Sequence, residues 1–543
     1  MTSPDSPPQV CAVKASVALA GALVALPLTM ALPVQIDQSL QLLILPAWWL
    51  IGRSVQTRTT YGRHDRWLLL AFAITTILSI ACSDHPARAA VASAALWWTL
   101  AAAVTARRLC ASRTAGMIVL AGIAIGAAIG VMADRIGLAA GATQIPLYTH
   151  ARIFGLHMFI GAIAAIGWVM LSFSSATRNA RIAAWLVAWI TWTGLAWSGS
   201  RAPALGLAFA LVVWFFTVTG PERKRLLIHT LLLGAAGLTT SYLLGPNFGD
   251  GWWHAVARTS TAGTDLSALS STRSDFWEVV WREILSSPWF GHGGDHYLFM
   301  RPRQVGNQPH NFVLQWLLEY GFAGAIPLFV LLARRLHEGF RSSVLKRRET
   351  TVTHVAWSGL IGATVCALFD GVFYHVIVAL PVAVLAGLCF APLSEKTVAI
   401  PVAPRRWLTG WLTASALVIL LHNALSLALT KTIPSSPQAP AAHALRLFPS
   451  ETFGLWHWLN AWKANDPDTS LEWAQWAQSQ AIHPAWFHLY AAQCLWEQND
   501  IPAALREVDM GLREAASMTE KAELGRLRRA LEQRSNASRA PAN

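Results

Sequence analysis

Residues 153–173, IFGLHMFIGAIAAIGWVMLSF, decide the fold: they hold no Asp, Glu, Lys or Arg. A bilayer core takes about 20 residues to cross as a helix. Helix is the only choice for a single segment, because each block must satisfy its own backbone hydrogen bonds in lipid. Blocks of the same kind recur along the chain, and thirteen spans are predicted. They cover about 12–32, 38–52, 67–83, 87–105, 115–134, 153–173, 182–198, 202–219, 226–245, 312–333, 354–370, 372–392 and 407–429. The first lacks a small-residue cleavage site before the second, so it reads as a mature helix rather than a signal peptide. The 543 residues are 54% hydrophobic and only 13% charged, against about 25% charged in soluble domains. The expected class is all-α, a polytopic membrane protein with 12–13 transmembrane helices.

The formal net charge of +13 would suit nucleic acid in a soluble chain. Here its distribution points to topology, and no nucleic-acid partner is expected. One set of loops carries Arg53, Arg58, Arg63 and Arg66, then Arg107, Arg108 and Arg113, then Arg178 and Arg181. The same set continues through Arg223, Lys224 and Arg225, then Arg334 to Arg348, then Lys396, Arg405 and Arg406. The alternate short loops hold Arg88, Arg135, Arg152 and Arg201 only. Positive residues stay in the cytoplasm. The N-terminus is therefore expected inside, and the loop 246–311 outside. After thirteen spans the C-terminus is also outside, in the bacterial periplasm beyond the inner membrane.

Residues 1–429 thus form the transmembrane domain. A Pro- and Ser-rich linker follows at 430–440, then a helical domain at 441–533, then a tail at 534–543 expected to be disordered. Within the helical domain Leu455, Trp456, Trp462, Asn465, Asp466 and Leu471 recur as Leu489, Tyr490, Trp496, Asn499, Asp500 and Leu505, each pair 34 residues apart. That is the tetratricopeptide period, in which stacked helix pairs offer a concave face to a protein or peptide. A generic helical bundle is the alternative. Cys11, Cys82, Cys110, Cys366 and Cys389 lie in or beside spans and Cys494 in a predicted outer helix, so no disulfide framework or CxxC metal site is expected.

The chemistry belongs in the outer loop, where polar residues depart from the membrane pattern. Residues 246–270 are rich in Gly, Ser and Thr. Residues 272–286 form an amphipathic helix with Thr272 and Asp275 as capping pair and Phe276, Val279, Val280 and Ile284 as apolar stripe. Trp277 and Trp281 suit a membrane surface. The loop closes on Gly291-His292-Gly293-Gly294 after Pro288, and on Pro309-His310-Asn311 before a span carrying Glu319, Gly321 and Gly324. A carboxylate inside a span, such as Glu319, is costly and commonly functional; otherwise it pairs with an arginine and holds the helix start. His292, Asp295, His296 and His310 raise the question of a metal. His292 and His296 at i, i+4 would face one ion on a helix, but the glycine run argues against a helix there, and no metal is expected.

These pieces resemble the O-antigen ligase superfamily. Ser271-Thr272-Arg273 followed by Trp277, Pro288 and Gly291-His292-Gly293 is similar to its loop signature. Pro309-His310-Asn311, continued by Leu314, Leu317, Glu319, Gly321 and Gly324, is similar to its most specific motif. Ser198-Gly199-Ser200-Arg201 resembles the Ser-rich Arg turn upstream, and Arg152 with Gly155 an earlier outer element, though Leu156-His157-Met158 replaces the family's Asn-Pro pair. The similarity covers roughly 150–335. It implies a glycosyltransferase of the outer leaflet that moves a glycan from undecaprenyl diphosphate, with no metal, cofactor or nucleotide sugar. Members of this group act on lipid A–core, on another lipid-linked glycan as polymerases, or on protein Ser and Thr.

In that reading Arg201, Arg273 and Arg152 bind the donor diphosphate, because a guanidinium fork pairs with phosphate oxygens and never deprotonates. His310 is the base for the acceptor hydroxyl, so the catalytic set is His310, Arg273 and Arg201. Asn311, Glu319, Gly291 and Gly293 support it. Membrane lipids surround the domain, and a protein partner on the C-terminal repeats is a further expectation. The rival from outside enzymology is a transporter, for which Asp370 at a span end is the candidate ionisable group.

Overall fold

The computed structural model describes residues 7–29, 63–109, 113–140, 148, 151–173, 177–244, 273–300, 308–341, 351–389, 467–480, 484–515 and 518–539, with isolated positions at 413–414, 417, 421, 424 and 459. Among the described residues every regular element is a helix. The helices of the apolar part are α1 (Pro7–Thr29), α2 (Arg63–Ala81), α3 (Pro86–Leu109), α4 (Arg113–Ala139), α5 (Ala151–Ser172), α6 (Arg178–Ser198), α7 (Arg201–Thr217), α8 (Gly220–Leu244), α9 (Arg273–Ser286), α10 (Phe312–Phe340), α11 (Thr351–Ala367) and α12 (Val376–Leu388). Six of them, α2 to α5, α8 and α10, contain stretches long and apolar enough to cross a membrane. The chain is an all-α polytopic membrane protein. The predicted spans at 38–52 and 407–429 lie almost wholly outside the described residues, as does the loop segment 246–272.

The stretch that opened the sequence reading forms α5 and is the axis of the bundle. Phe154 through Gly167 are all buried, with α4, α6, α7 and α11 packed around them. Hydrophobicity alone does not hold helices together in lipid, so close packing at small residues does. In α4, Gly122 and Gly126 let α1 approach. A Cβ on Gly122 would lie 2.6 Å from the Ala20 Cα, and one on Gly126 would lie 2.3 Å from the Leu23 carbonyl oxygen.

The outward face of the bundle is bare. Ile228, Leu231, Leu232 and Leu243 on α8 and Phe209, Val212 and Phe216 on α7 are exposed, as lipid-facing side chains must be. At one end, Asp65 accepts from Arg334 at 2.9 Å and pairs with Arg335. Arg107 and Arg335 line one apolar cavity there, with Trp97, Trp316 and Phe373 among its other walls.

The C-terminal part contains α13 (Pro467–Gln480), α14 (Pro484–Glu497), α15 (Ile501–Glu514) and α16 (Met518–Arg539), each packed on the next. α13 and α15 begin 34 residues apart, and so do α14 and α16. The turn between α14 and α15 is the Asn-Asp pair read from the sequence. Asn499 takes a left-handed φ of 64°, and the Asp500 side chain caps α15 by accepting from the Ala503 N–H at 3.0 Å. The first copy of the six matched positions, apart from Leu471, lies outside the described residues. α16 runs through 534–539, where the sequence reading placed the start of the tail. The chain offers no breaker before Pro541, and Pro disfavours helical backbone only in the residue ahead of it.

His488 on α14 is buried and pairs with Glu507 at 2.7 Å and with Glu514 at 3.7 Å. Burial pulls its pKa down, but the two carboxylates outweigh that and leave it raised. A raised folded-state pKa contributes stability that is fully present below the unfolded value near 6.5 and is lost as pH rises through the folded value. Amide protection in α14 and α15, corrected for the intrinsic exchange rate at each pH, should therefore be greater near pH 6 than above pH 8. Glu507→Gln should flatten that dependence.

Candidate functional site

Three connections meet around the start of α5. The turn Ser198–Arg201 joins α6 to α7, with Gly199 left-handed at the C-cap (φ 59°). The Ser200 N–H donates to Ser198 Oγ at 3.2 Å, and the Ser200 hydroxyl donates to the Ala151 carbonyl at 3.3 Å. This contact explains Gly155, since a Cβ there would fall 2.8 Å from Ser198 Oγ and 2.9 Å from Ser200. The Arg152–Gly155 element thus has a physical role without the family's Asn-Pro pair: its glycine seats the serine turn against the helix that carries Arg152.

Pro309-His310-Asn311 enters the same region. The Trp277 indole N–H donates to the Pro309 carbonyl at 2.8 Å. Trp277 therefore ties α9 to this turn, while Trp281 is exposed. Asn311 is the N-cap of α10, accepting from the N–H groups of Val313 at 2.9 Å and Leu314 at 3.2 Å. Between them His310 is held at φ 52°, a left-handed conformation that non-glycine residues seldom adopt and that accumulates at functional sites.

The buried His310 ring is gripped on both edges. Its Nδ1 lies 3.1 Å from Asp370 Oδ1, and its Nε2 lies 3.5 Å from an Arg152 guanidinium nitrogen. The tautomer follows from these partners. Arginine only donates, so Nε2 carries the lone pair. Nδ1 then carries the proton and donates it to Asp370. Asp370 Oδ1 also accepts from the Gly371 N–H at 2.9 Å. A carboxylate behind an imidazole whose other nitrogen is unprotonated is the arrangement of an oriented general base.

Asp370 is the residue that sequence reading missed. Its signal was an acidic residue at a span end, named only as the ionisable group that a rival transporter reading would use. The structure ties that carboxylate to His310 instead. Of the predicted arginines, Arg152 reaches His310. Arg201 begins α7 directly after the serine turn seated on Ala151. Residue 273 begins α9, one turn ahead of Trp277, and its side chain lies outside what is described.

The glycine and glutamate positions do separate work. α10 is broken at Gly321 (φ 61°, ψ −175°). The groups freed by the break are met by the preceding loop. The N–H groups of His292 and Gly293 donate to the Leu318 and Glu319 carbonyls at 2.9 and 3.0 Å. Those of Phe322 and Ala323 donate to the Pro288 and Trp289 carbonyls at 2.7 and 3.0 Å. Gly291 (φ 68°) faces this seam so closely that a Cβ would lie 2.6 Å from Glu319 backbone atoms. Among the described residues Glu319 has no arginine partner. Its carboxylate accepts from the Gln315 amide at 3.1 Å and the Asp295 N–H at 3.2 Å, and Asp295 takes the arginine, Arg88, at 2.7 Å. The four residues considered for a metal are likewise split. His310 belongs to Asp370 and Asp295 to Arg88, while His292 and His296 stack on each other with ring centroids 4.3 Å apart. Burial and the neighbouring His292 lower the pKa of His296.

Residues 186–329 match the O-antigen ligase family. That segment is similar to an O-antigen ligase domain. The matched segment runs from α6 into α10, and Arg201, Arg273, Gly291, Gly293, His310 and Glu319 fall within it. Arg152 and Asp370 fall outside. Over 176 residues the chain is 28% identical to an O-antigen ligase of Pseudomonas aeruginosa, covering 32% of this chain and 38% of that protein. Over 150 residues it is 25% identical to an uncharacterised protein of Haemophilus influenzae, covering 25% of this chain and 37% of that one. The chain therefore spans under two fifths of the length of either relative. No solved structure matches it.

Proposed function

We propose that this protein is a membrane glycosyltransferase that moves a glycan from undecaprenyl diphosphate to an acceptor at the periplasmic face of the bacterial inner membrane, as an O-antigen ligase does with lipid A–core. The observation that carries this is the Arg152–His310–Asp370 series, with a base and a phosphate-binding group facing each other beside the serine turn. His310 Nε2 takes the proton of the acceptor hydroxyl as its oxygen bonds to the anomeric carbon. The bond from that carbon to the diphosphate breaks, and undecaprenyl diphosphate leaves. Arg152, joined by Arg201 and Arg273, neutralises the leaving diphosphate. Asp370 fixes the tautomer and stabilises the imidazolium. The contact between Arg152 and Nε2 is long and gives way when the diphosphate arrives, since catalytic hydrogen bonds commonly tighten only with substrate bound.

Protein O-oligosaccharyl transfer and glycan polymerisation use the same donor chemistry and differ in acceptor. The helix starts repeating every 34 residues favour a tetratricopeptide-like domain at 441–533 that recruits a protein. That places protein transfer second.

Arg152→Lys keeps the charge and loses the fork. It should weaken binding of the undecaprenyl-diphosphate glycan by about 1.5–3 kcal/mol, the net worth of hydrogen bonds to charged groups. Donor binding by the variant within a factor of two of wild type would remove Arg152 from the diphosphate site. The orientation is tested apart from chemistry: a reporter active only in the periplasm should work when fused after residue 440 and fail when fused near 345. The reverse pattern would invert the assignment of faces.

A further inference from the structure

We infer that Glu283, His292 and His296 form a binding site for one zinc-class divalent ion, which pins the end of α9 to the loop that clamps α10. Each residue offers one ligand atom, and the three atoms lie within 4.8 Å of one another. His296 Nε2 is 3.1 Å and His292 Nε2 is 3.8 Å from the same Glu283 oxygen. Tetrahedral zinc, with bonds near 2.0–2.2 Å to N and O, sets its ligand atoms about 3.3 Å apart. Closing the ligand atoms to that spacing gives a three-ligand shell with an open fourth position. His2Glu is an established zinc donor set.

The residue types argue in the same direction. The seam across the α10 break uses the loop backbone alone, through the N–H groups of His292 and Gly293 and the carbonyls of Pro288 and Trp289. Nothing in that seam requires an imidazole at 292 or 296. Yet both rings turn toward one carboxylate and stack within 17° of parallel. His292 Nε2 lies 3.0 Å from the Glu283 carbonyl oxygen and 3.1 Å from Ser286 Oγ. Asp84 adds a further negative charge beside His296. The i, i+4 spacing looked unusable because the glycine run forbids a helix. The loop brings the rings together by another route, through the left-handed turns at Gly291, Gly293 and Asp295.

The cluster shares no residue with the Arg152–His310–Asp370 series, and its role is to hold α9, the helix that begins at residue 273. The test is cobalt and zinc binding by the purified full chain in detergent after dialysis against a chelator. One equivalent of Co2+ should give the intense visible absorption of four-coordinate cobalt, Zn2+ should bleach it, and Zn2+ should raise the unfolding temperature. His292→Ala, His296→Ala and Glu283→Gln should each weaken binding by more than the roughly 10–100-fold that loss of an outer-shell partner costs. His310→Ala should bind cobalt as the wild type does. Circular dichroism confirms that each variant is folded, and the wild-type titration stands without them. A folded wild type with neither the cobalt spectrum nor a zinc-dependent shift would overturn the site. So would undiminished binding in the His292→Ala/His296→Ala double variant.

Discussion

Replacing His310 with Ala should lower transfer by about 10²–10⁴-fold, the range a general acid–base group supplies, and leave donor binding intact. The expectation rests on the two-sided grip on the ring. Asp370 holds the proton on Nδ1, and Arg152 faces the lone pair on Nε2. Asp370→Asn separates an oriented base from a merely packed histidine. The amide has nearly the carboxylate's shape, but its NH2 can donate to Nδ1. The proton then moves to Nε2, and the ring loses both its basic edge and the charge that stabilises the imidazolium. Turnover should fall by a comparable factor. The double variant should be no slower than His310→Ala alone, because residues that act as one unit are not additive. Equal losses that multiply in the double variant would make Asp370 a packing residue only. Near-normal turnover in well-expressed His310→Ala would remove the base.

What the sequence made legible here was whatever depends on local periodicity. The described helices α1 to α8 and α10 to α12 fall on predicted spans, because an apolar run of that length in lipid has one solution. α9 was legible as an amphipathic stripe, and its Val280 and Ile284 are indeed buried. The Asn-Asp turn at 499–500 was legible because both residues tolerate conformations others avoid.

Pairing across the chain was not legible. Asp370 meets His310 from sixty residues away, and no spacing rule marks that contact. Glu319 read either as functional or as half of an ion pair, because a lone carboxylate in a span is costly. The structure meets it with Gln315 and a backbone N–H and gives the arginine to Asp295. Gly291 and Gly293 had a motif but no reason until the break in α10 supplied one.

That break yields the largest expected effect on stability. A helix interrupted inside a membrane leaves carbonyls and N–H groups that lipid cannot satisfy, and each costs several kcal/mol if unpaired. Here the loop at 288–293 supplies four partners, two in each direction. The crossing is possible only because the two strands touch at glycines. A Cβ on Gly321 would sit 2.4 Å from the Trp289 carbonyl carbon and oxygen, and the backbone at φ 61°, ψ −175° is a region essentially reserved for glycine.

Gly321→Ala should therefore carry about 1–3 kcal/mol of backbone strain, and it should also push the loop away and open the four bonds. We expect a total loss of about 3 kcal/mol or more, at a net 0.5–1.5 kcal/mol per hydrogen bond. It should be read as a fall in unfolding temperature in detergent and in the yield of folded protein. Gly21→Ala in α1 is the control, since a Cβ there meets nothing within 4 Å and alanine is the better helix former by about 1 kcal/mol. It should match or exceed wild type. The two substitutions add the same methyl group to a helix of the same protein. A Gly321→Ala variant that unfolds with the control would mean that the loop does not carry the break, and the Gly291-His292-Gly293 motif would again lack a structural cause.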